Sequence, residues 1–291
     1  MISPALTVST LLCHRDMAMG LRCFRSLADC SEEPVEFVIH DDGSLDAEDK
    51  QLLLDSARSG FRVARIIPRS EADVVIDARL AAYPHCAALR KRQAYGLKLF
   101  DVPFLSESPV VRYMDSDVLF LQPVRGLFAM RDDQDCIFMQ DLQNAYALRP
   151  WHLLSPGMGV PQKINSGLFA LRTEIMDLER TEWLLAKDLP VFHKLPWFEQ
   201  TCWAWLASRY NGHVWDSTQI QVIDDRTVFN DTLVAAHFVT PSRSRMKELP
   251  STPPPSARAP IEVRQQPMQP LHPVAYMAEV VSRSIRRRLP A

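Results

Sequence analysis

Apolar and polar positions alternate in blocks over the first 67 residues, and the blocks define five elements. Leu6 to Leu12 is rich in apolar and β-branched residues, the pattern of a buried strand. Met17 to Leu27 has helical spacing. Val35 to Ile39 is a second short strand that runs into His40-Asp41-Asp42-Gly43-Ser44. Leu45 to Ser59 reads as a helix, with Ser44 as its N-cap, Asp46 and Glu48 favouring its start and Gly60 as its stop. Phe61 to Ile67 is a third strand. This β-α-β-α-β order predicts a parallel sheet with helices on its faces.

The pattern continues with a helix over Ala87 to Phe100 that carries Arg90, Lys91, Arg92 and Lys98. A strand through Val110, Val111, Tyr113 and Met114 arrives at Asp115-Ser116-Asp117, and Val118 to Leu121 follow. Cys136 to Met139 and Ile164 to Leu171 read as strands. Thr173 to Lys187 and Phe198 to Ser208 look helical. His213 to Trp215, Ile220 to Ile223 and Leu233 to Val239 complete the extended segments. From Pro250 the periodicity fades: residues 250–273 are punctuated by prolines and read as an extended linker. Residues 274–291 form a basic tail, with a short helix ending in Arg286-Arg287-Arg288.

Composition narrows the classes. The 291 residues are 47% hydrophobic and 23% charged, enough for a substantial core. A formal net charge of -2 gives no global attraction to nucleic acid. The six cysteines form no C-x-x-C pair and no zinc spacing, which fits a reducing compartment. No apolar run reaches the roughly 20 residues that span a bilayer, and Met1 to Leu12 lacks the basic start of a signal peptide. The expectation is a soluble, cytoplasmic protein. Its arginine-rich end offers a peripheral contact with an anionic membrane.

Chemistry concentrates at strand ends. Asp115 and Asp117 are two carboxylates one residue apart at the mouth of an apolar strand. They repel each other and resist burial, and a hard divalent cation, Mg²⁺ or Mn²⁺, removes both problems. Asp41 or Asp42 can accept hydrogen bonds from a ribose or base, while Gly43 turns the backbone. Asn165-Ser166-Gly167 opens a buried strand with small polar groups, and Gly167 permits a close approach. Glu199-Gln200 opens a helix, as helix cap or as sugar-hydroxyl partners. His237 ends an apolar strand, where it can complete a metal site. Arg243, Arg245 and Lys247 follow as candidates to neutralise a diphosphate.

Taken in order, HDDGS, YMDSDVLF, INSGLFALR, WFEQ and AAHF resemble the GT-A fold glycosyltransferases, and family 8-type enzymes most of all; the HDDGS turn looks more like family 2. The likeness spans roughly residues 5 to 247. It implies an α/β fold with a Rossmann-like, mixed, mostly parallel central sheet flanked by helices, covering residues 1–249. It implies transfer of a sugar from a nucleotide-sugar donor, of the UDP-sugar type, to a hydroxyl of a glycan, lipid or protein. Asp115, Asp117 and His237 would hold the cation, with Asp117 the direct ligand and Asp115 nearer the ribose or sugar. Thr10, Arg15, Asp41 and Asp42 would lie by the nucleotide, and Lys98 or Arg92 by the diphosphate. Asn165, Ser166, Glu199 and Gln200 would line the donor-sugar and acceptor side, and Ser116 would belong to the donor- and nucleotide-binding set. Glu199 and Asp141 are the carboxylates available as a base. The sequence departs from family 8 after the histidine, where a Gly and a Lys-Pro-Trp segment are expected and Phe238-Val239-Thr240-Pro241-Ser242-Arg243 stands. The phosphate contact is therefore open among Arg243, Arg245 and Lys247. Two alternatives remain: a nucleotidyltransferase of similar architecture, which needs a glycine-rich basic loop that Cys13-His14-Arg15-Asp16 is not, and a non-catalytic sugar- or protein-binding relative.

Overall fold

A computed structural model describes residues 5–148, 152–153, 159–192, 197–249 and 259–286. Its strands are β1 (Leu6–Leu12), β2 (Val35–Asp41), β3 (Arg62–Ile67), β4 (Val110–Met114), β5 (Val118–Phe120), β6 (Val124–Arg125), β7 (Cys136–Gln140), β8 (Ile164–Arg172), β9 (Gly212–Trp215), β10 (Ile220–Val222), β11 (Ala235–His237), β12 (Ile261–Glu262) and β13 (Gln265–Pro267). The helices are α1 (Met17–Cys30), α2 (Ala47–Gly60), α3 (Arg69–Arg79), α4 (Pro84–Arg92), α5 (Ala94–Phe104), α6 (Leu178–Phe192), α7 (Phe198–Ala207) and α8 (Pro273–Arg286).

The main sheet runs β3-β2-β1-β4-β8-β7-β10-β11-β5, with β9 also paired to β7 and β13 to β9. The first four strands in that order are mutually parallel, as the β-α-β-α-β pattern predicts, and β8 lies antiparallel between β4 and β7. Strand alternation sorts the core onto two faces. Val8, Phe37, Met114, Leu168 and Ala170 pack with Phe24 and Phe61 under α1 and α2. Val111, Tyr113, Phe169 and Leu171 pack with Trp203 under α5, α6 and α7. The remaining indole side chains divide: Trp205 and Trp215 are buried, Trp197 is half-buried, Trp183 is exposed and stacks on Trp205, and Trp151 lies outside the described residues.

Four local differences from the sequence reading have physical causes. The expected helix over Ala87 to Phe100 is two helices, because Gln93 is extended (φ −141°, ψ 137°) and Arg90 turns inward to Asp101 at 2.6 Å. The N-cap of α2 is Asp46 rather than Ser44: Asp46 and Asp49 close a capping box, while Ser44 Oγ donates to Asp42 and accepts from the His14 amide. Helix α3 has no counterpart in the sequence reading, because only Ala72 and Ile76 of its eleven residues are buried. The proline-rich stretch, in its described part, is not an extended linker. Strand β13 pairs antiparallel with β9, and Pro267 sits there at a sheet edge where its missing N–H costs nothing. Tyr276 of α8 is buried, and its hydroxyl donates to the carbonyls of Tyr146 and Leu148. Residues 250–258, Arg287 and Arg288 lie outside the described residues.

The six cysteines are free thiols, five of them buried. Among the described residues, no helix is long and apolar enough to cross a membrane.

Candidate functional site

The parallel strands β1, β2 and β4 end at one edge of the sheet, where α/β folds hold their ligands. Strand β8 enters from that edge, so its first residues, Ile164 to Gly167, stand beside the last of β4. The Asp115 amide donates to the Gly167 carbonyl at 2.7 Å. Strand β11 runs antiparallel to β5 with His237 opposite Val118, and the Phe238 amide donates to the Asp117 carbonyl at 2.9 Å. Backbone pairing, rather than loop chance, thus brings His237 to the Asp115-Ser116-Asp117 turn.

One ligand atom from each of Asp115, Asp117 and His237 lies within 4.8 Å of the others. His237 Nε2 is 3.1 Å from Asp117 Oδ1 and 3.8 Å from Asp115 Oδ2. On the far side of the ring, Nδ1 faces Asn165 Oδ1 at 3.0 Å. The Asn165 amide nitrogen donates to Asp141, so its oxygen is the end that receives the imidazole Nδ1–H. That tautomer aims the Nε2 lone pair at the two carboxylates. Gly167 makes room: a Cβ there would overlap the imidazole.

The two acids are held differently. Both Asp115 oxygens are engaged, Oδ1 by the Tyr113 hydroxyl at 2.7 Å and Oδ2 by Lys98 Nζ at 3.0 Å. Asp117 Oδ2 accepts from Arg243 at 2.7 and 3.0 Å. Its Oδ1 is buried and has no hydrogen bond; the His237 contact has ion-pair distance without hydrogen-bond geometry. Burial works against ionisation of Asp117, but His237 and Arg243 outweigh it and hold the carboxyl below the usual range. Burial likewise opposes protonation of His237, and the Asp117 and Asp115 charges override it, raising its pKa. An oxygen-and-imidazole set with one unsatisfied buried carboxylate oxygen fits a divalent cation.

Beside this cluster, Lys98 is buried and also donates to Ser166 Oγ at 3.2 Å, with Glu199 Oε1 3.6 Å away. Burial would neutralise Lys98; Asp115 and Glu199 keep it charged, with its pKa raised. Ser166 Oγ donates to Glu199 Oε2 at 2.9 Å, and Oε1 has no hydrogen bond. Burial pushes the Glu199 carboxyl up, against the pull of Lys98. Gln200 Nε2 donates to Asp141 Oδ2 at 3.3 Å and to the Ala145 carbonyl at 2.9 Å.

No family model matches the chain, and no curated protein matches it in sequence. Solved structures do match. LgtC, a galactosyltransferase in complex with donor and acceptor sugar analogues, superposes with a TM-score of 0.60 at 14% identity, over 84% of this chain and 94% of that one. Mouse xyloside xylosyltransferase 1 in its apo form gives 0.53 at 11% identity, over 81% and 99%. The bifunctional glycosyltransferase WbbM gives 0.53 at 12%, over 82% of this chain and 46% of its own. The chain has the GT-A glycosyltransferase fold.

Within this GT-A frame, Asp115, Asp117, His237, Lys98, Asn165, Ser166, Glu199, Gln200, Asp141 and Arg243 form one connected polar network. Ser116 is buried between the two acids. Thr10 is buried near the end of β1, with a hydroxyl that has no protein partner. Asp41 shapes its turn, accepting from the Gly43 and Leu45 amides and pairing with Lys50; Asp42 accepts from Ser44. Arg15 is exposed and pairs with Asp16. Arg92 and Lys247 are exposed and outside the network. Arg245 braces Glu248 and the carbonyls of Asp224 and Thr227, so of the three cations after His237 it is Arg243 that reaches Asp117. Sequence reasoning missed Asp16, which contacts Arg243 at 3.4 Å, and the Tyr113 hydroxyl. A polar tip two residues before the acid pair was the available signal for Tyr113.

Proposed function

We propose that this protein is a metal-dependent glycosyltransferase that moves a sugar from a nucleotide-sugar donor to an acceptor hydroxyl. The observation that carries the reading is the convergence of Asp115, Asp117 and His237 at the ligand edge of a GT-A sheet, with a buried Asp117 oxygen left unsatisfied. The complex of LgtC with donor and acceptor sugar analogues supports the same substrate classes here.

In this reading Asp117, His237 and Asp115 hold Mn²⁺ or Mg²⁺. When bound, the cation supplies Lewis-acid stabilisation of charge on the donor diphosphate. Arg243 adds a fixed positive charge on the same side, and Lys98 does so from beneath Asp115. Thr10, Arg15, Asp41 and Asp42 border the nucleotide of a UDP-sugar-type donor. Asn165, Ser166 and Gln200 orient sugar hydroxyls. Glu199, whose Oε1 has no hydrogen bond and whose carboxyl is raised by burial, and Asp141 would be the carboxylates to hold or accept a proton. The acceptor is a glycan, lipid or protein hydroxyl. The exposed apolar residues of α8, next to the C-terminal arginines, support a peripheral membrane contact by a soluble enzyme of the cytoplasm.

The test is thermal stabilisation by Mn²⁺ with a panel of nucleoside diphosphates, repeated on Asp117→Ala. Wild type should gain more stability with metal and nucleotide together than with metal alone, by linkage, and the variant should lose the gain. Hydrolysis of nucleotide-sugars without acceptor then identifies the donor. Absence of stabilisation by every nucleotide would sink the proposal.

A further inference from the structure

Tyr113 is fully buried on β4, two residues before Asp115, and its ring stacks on Phe169 with centroids 5.0 Å apart. A phenol placed there must find an acceptor, because an unpaired buried hydroxyl is costly. It donates to Asp115 Oδ1 at 2.7 Å. Lys98 approaches the same carboxylate from the other side, donating to Oδ2 at 3.0 Å while its ammonium lies 4.8 Å from the centroid of the Tyr113 ring. Rotation of the Asp115 carboxylate would therefore break two hydrogen bonds at once. Oδ2, the oxygen nearer His237, stays turned toward the imidazole at 3.8 Å.

We propose that Tyr113 is a positioning residue of the cation site: its hydroxyl fixes the plane of the Asp115 carboxylate, so that Oδ2 faces Asp117 Oδ1 and His237 Nε2. The role rests on the metal-dependent reading above. It makes the two acids of the pair unequal by construction. Asp115 is pre-set by neighbours on both oxygens, and Asp117 keeps one oxygen open. Partners of this kind typically contribute 10–100-fold in metal affinity.

The test uses Mn²⁺ alone. The full-length protein is titrated without nucleotide, and free Mn²⁺ is followed by electron paramagnetic resonance. Wild type should bind and Asp117→Ala should not; failure of wild type to bind overturns the metal-dependent reading and this proposal with it. Tyr113→Phe keeps the ring and its stacking. It should fold, with a metal-free melting temperature close to wild type, and bind Mn²⁺ at least roughly tenfold more weakly. Wild-type affinity in Tyr113→Phe would show a hydroxyl that merely satisfies itself, and would overturn the assignment. A second measurement leaves Tyr113 intact: protein labelled with ¹³Cζ-tyrosine is titrated with Mg²⁺. One buried tyrosine resonance should move, and Asp115→Asn should abolish the movement. If no tyrosine resonance responds to Mg²⁺, the assignment fails even where Tyr113→Phe does not fold.

Discussion

Gly167 and Lys98 each decide whether the charged groups around them can stay where they are. A methyl group on Gly167 would occupy the volume of the His237 ring. Gly167→Ala should therefore displace the imidazole, destabilise the fold by about 1–3 kcal/mol through overpacking, and abolish Mn²⁺ binding in the same titration. Retained binding would show that the ring has another seat. Lys98 lies between Asp115 and Glu199. With Lys98→Met the two carboxylates face each other without the ammonium, and Glu199, already raised by burial, rises further. A carboxyl raised in the folded state adds stability at low pH that is lost as pH climbs through its folded value. Lys98→Met should thus lose more melting temperature at pH 8 than at pH 5, and an equal loss at both would contradict the electrostatic account. The convergence of Asp115, Asp117 and His237 was legible through the order of the motifs, since an Asp-x-Asp or a strand-end histidine taken alone is more often structural. Arg243 was legible only as one of three cations, since its contact with Asp117 spans 126 residues and depends on how the segment after β11 folds back.

At the scale of elements, the segment that looked detached is the one that grips the site. The Glu279 carboxylate of α8 accepts from the Asn144 backbone amide at 2.8 Å and from its side-chain amide at 2.6 Å. Asn144 Oδ1 in turn accepts from the Lys163 amide, one residue before β8 begins. The loop between β7 and residue 148 also provides Asp141 and the Ala145 carbonyl that holds Gln200. Glu279→Ala should leave β1 and β4 amides protected while hydrogen exchange accelerates over residues 141–148 and at Lys163. Unchanged exchange there would show that the loop orders itself. Composition could not reveal this grip, because prolines mask periodicity and an edge strand such as β13 needs only three residues of pairing. The opening β-α-β-α-β unit was legible for the opposite reason: β1 and β2 carry their apolar residues into the core and α1 keeps one apolar stripe, while β3 is an edge strand with only Ile67 buried. The break between α4 and α5 was not, because every residue around Gln93 tolerates a helix and the buried Arg90–Asp101 pair is a tertiary contact.

For the molecule as a whole, two predictions come from groups outside the cation cluster, one of acid sensitivity and one of membrane contact. His40 on β2 is buried with neither ring nitrogen hydrogen-bonded, and burial first, then the charge of Arg65, lowers its pKa to about 4. Its folded value lies below its unfolded one, so its contribution is intact above pH 6.5 and drains away as pH falls toward 4, by about 3 kcal/mol. His40→Gln should flatten the stability-against-pH curve in that window, and an unchanged slope would assign the acid transition to other groups. The C-terminal helix makes the second case. Tyr276 faces inward, while Val274, Met277 and Val281 are exposed at 66%, 45% and 58% along one stripe of α8. Arg283, Arg286, Arg287 and Arg288 follow in the sequence. An apolar stripe followed in sequence by arginines is the pattern of a helix that lies at an anionic bilayer, where each basic residue near the surface contributes about 1 kcal/mol. The protein should sediment with vesicles containing phosphatidylglycerol and stay in solution with phosphatidylcholine alone. High salt should release it, because the attraction is screened. Val281→Glu, exposed and clear of the Glu279–Asn144 contact, should weaken sedimentation without loosening residues 141–148. Equal sedimentation with neutral vesicles would point to apolar adhesion alone. No sedimentation with either would leave α8 as the clasp of residues 141–148 and nothing more.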